Sequence, residues 1–191
     1  KKDFAPVRLA HMVKLSKLET LSDPKMVNEL KTQLTNSSSP SPSVETILHA
    51  IIPFKFVDHT HADSVVTITN NPNGEEIIRE IYGDRIIVIP YVMPGFDLAK
   101  EVSRLFFENV SDKTEGLVLF NHGIFTFGDN AHQSYTRMID LVNAAEQYLV
   151  KRNAWKIEKN TTVKITSESR MNKVAQLRKD ISLVAGKPML I

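Results

Sequence analysis

The chain has 191 residues, 42% of them hydrophobic and 24% charged, with a formal net charge of +2 at pH 7. That length suits one compact domain, and the balance of charges argues against a nucleic-acid binder that depends on a basic field. Cysteine is absent, so any metal ion must be held by histidine, carboxylate or water. The longest apolar runs are only strand-length, so we expect no membrane partner and a cytoplasmic protein.

Helices and strands alternate along the chain, which predicts the α/β class with helices layered on a sheet. Asp23-Pro24 and Ser41-Pro42 mark helix starts, because each pairs a capping side chain with a proline suited to the first helical turn. In chain order the sequence predicts a strand or short helix at 7–15, helices from 23 and from 41 to 53, strands at 56–63 and 85–90, a helix at 96–109, strands at 117–120 and 124–127, helices at 130–155 and 167–184, and a strand beginning at 189.

His59-Thr60-His61 is the sharpest local feature of the sequence. Alternate side chains of a strand share one face, so His59 and His61 can converge on one ion. His122 follows an apolar strand and precedes Gly123, whose small size allows a tight turn beside the ring. Three neutral imidazoles with open coordination positions predict a catalytic zinc site. The competing interpretation is that these are ordinary polar histidines at strand ends.

Glu45 is the fourth element of the predicted site. It does not complete a Ser-x-x-Glu capping box, because position 42 is proline. A carboxylate near a metal ion can take a proton from a carbon whose neighbouring carbonyl the metal polarises. The alternative is a solvated glutamate on a helix surface. Among the remaining histidines, His11 and His132 are interpreted as surface residues and His49 as a structural one.

Four short motifs occur in a specific order along the chain. They are Ser43-x-Glu45-x-x-x-His49, His59-Thr60-His61, Pro90-Tyr91-x-x-Pro94-Gly95 and Asn121-His122-Gly123. Together they resemble the class II aldolase/adducin-domain family, over residues 41 to 150. Phe4-Ala5-Pro6-x-Arg8-Leu9 and Pro53-Phe54-Lys55 resemble the aldolase part of bifunctional rhamnulose-1-phosphate aldolase/short-chain dehydrogenase proteins.

The resemblance implies a class II aldolase fold, with a central, mostly antiparallel sheet in a three-layer αβα arrangement, usually assembled as a homotetramer. It implies that His59, His61 and His122 bind zinc or another divalent transition metal. By the same match Glu45 is the catalytic base, and Tyr91 reaches a neighbouring subunit's site to protonate the leaving aldehyde.

The activity implied by the resemblance is cleavage of a phosphorylated sugar, a ketose 1-phosphate similar to rhamnulose 1-phosphate. The products would be dihydroxyacetone phosphate and a small aldehyde such as lactaldehyde. The alternatives are a sugar-phosphate 4-epimerase or dehydratase of the same family, or a non-catalytic module like that of adducin. A lysine Schiff base is the other aldolase strategy, for which Lys55 and Lys100 are candidates by position alone. The resemblance also implies a helix at 62–70, where β-branched residues favour a strand.

Family members bind the substrate phosphate through a glycine-rich loop near the N-terminus, but here no glycine precedes Gly74. We therefore expect residues 1–191 to be a single class II aldolase-like domain cut from a longer chain, with 156–191 as a C-terminal extension. The resemblance places a short-chain dehydrogenase domain in the full-length protein. No glycine-rich dinucleotide fingerprint occurs in this sequence, so no dehydrogenase activity is assigned to it.

Overall fold

The computed structural model describes residues 4–155 and 167–189, in two compact units that span residues 1–155 and 156–191. The first unit contains seven described α-helices, a short 3₁₀ helix at Gly83–Arg85 and a four-stranded sheet. The helices are α1 (Leu9–Leu15), α2 (Asp23–Thr32), α3 (Thr46–Ile51), α4 (Asp63–Thr69), α5 (Gly74–Tyr82), α6 (Phe96–Asn109) and α7 (Ala131–Lys151). The strands are β1 (Phe56–Thr60), β2 (Ile86–Ile89), β3 (Gly116–Leu119) and β4 (Gly123–Gly128).

The sheet has the strand order β1-β4-β3-β2. Strand β4 is antiparallel to both of its neighbours, while β2 runs parallel to β3. The β3–β4 hairpin closes at the pair Leu119 and Gly123, so residues 120–122 form its loop. Two of the three strand pairs are antiparallel, which confirms the mostly antiparallel sheet.

Side-chain alternation along the strands divides the interior into two cores, one on each face of the sheet. Ile87, Leu117 and Phe125 pack with α1, α2, α3 and α6, whereas Val118 and Ile124 pack with α4, α5 and α7. Full burial of one aliphatic or phenyl side chain stabilises the folded state by about 1.5–3 kcal/mol, so apolar packing on both faces of the sheet contributes to stability. The predicted three-layer αβα arrangement is confirmed.

Helix α3 begins later than predicted, because residues 41–45 are not helical. A turn at Ser43 replaces the first helical turn, with the Thr46 backbone N–H 3.0 Å from the Ser43 carbonyl oxygen. Glu45 is consequently the residue that caps the helix N-terminus, and its side chain makes no capping hydrogen bond. The carboxylate therefore stays available for other contacts.

Helix α5 was not predicted at all, and helix α4 forms against local propensity. The helix that the resemblance implied at 62–70 is present as α4. It forms because burial of Val65 and Ile68 in the second core outweighs the strand preference of its β-branched residues. Strand β1 ends at Thr60, three residues short of its predicted end at Asp63. Helix α7 ends at Lys151, earlier than predicted.

The second unit contains α8 (Ser167–Ala185), one residue longer than the predicted helix. Met189 is not in a strand, and the rest of the strand predicted there, residues 190–191, lies outside the described residues. Over residues 4–155 and 167–189, none of the helices combines the length and the apolar character that crossing a bilayer requires.

Candidate metal centre

Four polar side chains from three segments of the chain meet at one end of the sheet. Glu45 stands at the N-terminus of α3, His59 lies in β1, His61 follows the end of β1, and His122 lies in the β3–β4 loop. One potential ligand atom from each residue falls within 4.8 Å of all the others. The structure thus brings together the three histidines and the glutamate that the sequence singled out.

The Glu45 carboxylate occupies the centre of this group. Its Oε1 atom lies 2.6 Å from Nε2 of His122, 3.4 Å from Nε2 of His59 and 3.8 Å from Nε2 of His61. The side chains of His59 and His122 are only 9% and 8% exposed, whereas that of His61 is 60% exposed. The site is therefore closed by the protein on one side and open to solvent at His61.

His59 has the hydrogen-bonding arrangement of a metal ligand. Its Nδ1 atom lies 3.0 Å from the backbone oxygen of Ile124, and a carbonyl oxygen can only accept, so Nδ1 carries the proton. The Nε2 atom then presents a lone pair towards Glu45. This buried atom has no hydrogen-bond partner within the part of the chain that the structure describes. Such an outer hydrogen bond fixes the tautomer of histidine ligands in metal sites.

The spacing of the donor atoms fits a divalent transition metal. With Zn–N bonds of about 2.0–2.1 Å, neighbouring ligand atoms of a tetrahedral site are about 3.3–3.4 Å apart. The distances from Glu45 to His59 and His61, 3.4 and 3.8 Å, are close to that value. The 2.6 Å contact with His122 is a hydrogen bond, and its proton would be displaced by an ion. Three imidazoles and one carboxylate are ligands suited to zinc and its neighbours.

The surrounding residues also set the protonation of the site. The short hydrogen bond from His122 holds the pKa of Glu45 far below its ordinary value. Glu45 is therefore an anion near neutral pH. Burial lowers the pKa of His49, and the nearby His59 lowers it further. The ring centre of His49 lies 6.4 Å from that of His59. His49 is not one of the four clustered residues.

The β3–β4 loop positions His122 through an unusual backbone conformation. Asn121 has a φ angle of 56°, in the left-handed region that non-glycine residues rarely adopt. Its backbone N–H donates to the Thr69 hydroxyl oxygen at 3.3 Å, and its side-chain amide donates to the Asn70 side-chain oxygen. The end of α4 therefore anchors the loop. Gly123 then passes close to the histidines, since a Cβ atom there would lie 3.1 Å from His59 Cε1.

Three other candidates stand apart from the group of four. Tyr91 is 54% exposed, and its hydroxyl donates to the Met93 sulfur at 3.7 Å. Lys55 is exposed, and Lys100 donates to the Leu18 carbonyl oxygen at 2.9 Å. The hydrogen bonds of Tyr91 and Lys100 therefore lead away from the histidine cluster.

His11, interpreted as a surface residue, is partly exposed and also makes a contact between two helices. Its Nε2 atom lies 2.7 Å from Glu29 Oε2, and both side chains are about one-third exposed, at 33% and 35%. This contact joins α1 to α2. His132, by contrast, is exposed as expected.

The sequence interpretation missed two neighbours of His59. Ile124 supplies the carbonyl oxygen described above, and the Phe125 ring stacks on the imidazole with 4.0 Å between ring centres. The sequence did contain a usable signal, namely the apolar strand that directly follows Gly123. Antiparallel pairing of this strand with the His59 strand places its residues opposite His59 and Thr60.

Comparison with known proteins adds a family match to this geometry. Residues 4–149 match the model of the Class II Aldolase and Adducin N-terminal domain. A Bacillus subtilis (strain 168) protein named "Uncharacterized oxidoreductase YuxG" is 36% identical over 149 residues, which cover 77% of this chain. The chain spans only 21% of the length of that relative.

Two solved structures have similar folds. The N-terminal class II aldolase domain of a conserved protein from Thermoplasma acidophilum has a TM-score of 0.69 at 41% identity, over 76% of this chain and 66% of that one. A sugar-phosphate aldolase from Thermotoga maritima has a TM-score of 0.50 at 21% identity, over 66% of this chain and 60% of that one. The second likeness concerns the fold alone.

Proposed function

The chain belongs to the class II aldolase and adducin N-terminal domain family, and we propose that it is a metal-dependent aldolase acting on a ketose 1-phosphate. Its products are dihydroxyacetone phosphate and a small aldehyde, with rhamnulose 1-phosphate and lactaldehyde as the model pair. The observation that carries the proposal is the convergence of three imidazoles on the ionised carboxylate of Glu45, at 2.6, 3.4 and 3.8 Å.

His59, His61 and His122 are the proposed metal ligands. Zinc is the proposed ion, because three imidazole nitrogens with room for further ligands are typical of catalytic zinc sites. A divalent ion bound there supplies Lewis-acid polarisation of the substrate carbonyl. The 60% exposure of His61 leaves the solvent side of the centre open for substrate.

Glu45 is the proposed acid–base residue. In the condensation direction it takes a proton from the carbon beside the carbonyl, and in cleavage it returns a proton to that carbon. Its hydrogen bond from His122 keeps the pKa of Glu45 low and the carboxylate ionised, which suits a base. Because the side chain makes no capping hydrogen bond, it can turn from the histidines towards substrate.

Tyr91 is proposed to handle the proton on the aldehyde oxygen in the site of a neighbouring subunit of a homotetramer. It takes the hydroxyl proton as the carbon–carbon bond breaks, and it protonates the aldehyde oxygen in condensation. Its position in the loop after β2 and its 54% exposure support this role, since the hydroxyl is accessible to another chain. Replacement by phenylalanine then slows cleavage without changing the metal content.

The test is a coupled assay for dihydroxyacetone phosphate with the full-length, zinc-loaded protein and a panel of ketose 1-phosphates. Glu45→Gln should retain the metal and lose about 10²–10⁴-fold in turnover, the usual contribution of general acid–base catalysis. Glu29→Gln is the matched control, because Glu29 also bonds a histidine, at 2.7 Å, but lies outside the cluster.

The outcomes separate the related reactions. Formation of dihydroxyacetone phosphate that depends on Glu45 supports the aldolase. A product epimeric at C4, or a dehydrated product, would instead assign one of the other activities of the family. Purified protein without stoichiometric zinc, cobalt or manganese would reject the metal centre, and Glu45→Gln turnover equal to that of Glu29→Gln would reject the base.

A further inference from the structure

His59 is held on several sides by consecutive residues of β4, unlike the other proposed ligands. Its Nδ1 atom bonds the Ile124 oxygen at 3.0 Å, and the Phe125 ring stacks on its face at 4.0 Å with an interplanar angle of 19°. Gly123 leaves room beside the edge of the His59 ring, since a residue with a Cβ atom at position 123 would place that atom 3.1 Å from His59 Cε1. His59 is therefore fixed before any ion binds.

The strand pairing explains how this arrangement arises. In the antiparallel β1–β4 pair, Phe125 is directly opposite His59. Side chains opposite each other in such a pair lie on the same face of the sheet, close enough for ring stacking. Phe125 is 1% exposed and belongs to the core, so its own position is set by packing. His49 approaches it from α3, with 5.2 Å between ring centres.

We propose that Phe125 is a positioning residue of the metal centre, which holds the His59 imidazole so that Nε2 faces the ion. This proposal deepens the proposed function and rests on His59 being a ligand. Offset stacking favours one ring plane, and the Ile124 carbonyl selects the Nδ1–H tautomer within that plane. The ordering of His59 is then achieved during folding, so less conformational entropy is lost when metal binds.

An ordinary core residue would also be buried at this position, and the same strand offers a control that separates the two roles. Phe127 lies two residues further along β4, on the same face, and is 0% exposed. Its ring stacks on Phe54 at 4.4 Å and meets Phe106 at 5.6 Å, and among the described residues it makes no ring contact with a histidine. Phe127→Leu therefore reports loss of core packing alone.

The experiment compares zinc dissociation constants of wild type, Phe125→Leu and Phe127→Leu by competition with a chromogenic chelator. Both variants should have lower melting temperatures, because each loses a buried phenyl ring. Only Phe125→Leu should bind zinc more weakly, by about tenfold or more, the usual effect of losing an outer-shell partner of a ligand. Equal dissociation constants for the two variants would overturn the proposal.

A second measurement uses the metal-free wild-type protein and needs no variant. The ring protons of His59 should be shifted upfield by the stacked phenyl ring, and ¹⁵N shifts should show the proton on Nδ1. A mobile His59 ring, or a proton on Nε2, would overturn the positioning role even if Phe125→Leu fails to fold. Wild-type protein that binds no zinc would instead remove the proposed function, while the ring measurement would still decide the geometry.

Discussion

Replacement of Gly123 by alanine should damage the proposed metal centre through a single methyl group. The added Cβ would lie 2.5 Å from the Thr60 carbonyl oxygen and 3.1 Å from both His59 Cε1 and His61 Cδ2. The first contact involves backbone, so no side-chain rotation relieves it, and the end of the β1–β4 pair must open. His61 is 60% exposed and can move, whereas His59 is 9% exposed and cannot.

The expected size of the effect follows from these contacts. Overpacking of this kind costs about 1–3 kcal/mol of folding stability. Displacement of two of the proposed ligands should also weaken zinc binding by at least about tenfold, which corresponds to about 1.4 kcal/mol. Urea denaturation of the metal-free protein measures the first quantity, and zinc competition measures the second.

Gly128→Ala is the matched control for Gly123→Ala. Gly128 ends the same strand, and a Cβ atom there would lie 2.9 Å from the Ser134 backbone nitrogen, a comparable clash. Its three nearest heavy atoms belong to Gln133 and Ser134 and to no histidine. If both variants lose stability and bind zinc equally well, the close approach at Gly123 does not shape the site.

Two further predictions concern the proposed histidine ligands and the loop that carries His122. His59→Ala should reduce zinc affinity more than His61→Ala, because His59 is buried and held in place while His61 is 60% exposed; the reverse order in zinc titrations would contradict this. Asn121→Gly should be less destabilising than Asn121→Ala in urea denaturation. Both variants lose the contact with Asn70, but the φ angle of 56° at this position is unfavourable for alanine and not for glycine. Equal losses would show that the left-handed conformation costs nothing there.

Regular elements with strong internal periodicity were predictable from the sequence. Helix α6 has its predicted bounds, because Leu98, Val102 and Phe106 repeat at helical spacing between a Pro-Gly turn and a polar segment. Strands β3 and β4 lie within one residue of the predicted ranges at both ends. In these segments local pattern and tertiary packing favour the same structure.

Prediction failed where local signals were ambiguous or overlooked. Ser41-Pro42 has the composition of a helix start, but the turn at Ser43 delays α3 to Thr46. Helix α5 carried a usable signal, since Ile78 and Tyr82 are four residues apart and the ion pair of Glu75 with Arg79 has the same spacing. The asparagine-rich turn before it obscured that pattern.

The three histidines could be grouped from the sequence pattern, but spacing alone does not bring Glu45 to them, so its place in the site depended on the resemblance. The chain between Glu45 and His59 includes a helix and a turn, so their contact depends on α3 packing against the face of the sheet that carries His59. Only tertiary structure supplies this contact. The role of Phe125 was likewise invisible until the β1–β4 register set it opposite His59.

The four candidate ligands differ in how the fold supports them, and this difference has a functional consequence. His59 is the only one inside a strand; Glu45 precedes a helix, His61 follows a strand and His122 lies in a loop. Such end and loop positions adapt more readily than a paired strand. With His59 fixed in the strand and the other three candidate ligands more adaptable, an ion can bind without much reorganisation of the core. It also leaves Glu45 able to exchange its histidine contacts for substrate, as the proposed proton transfer requires.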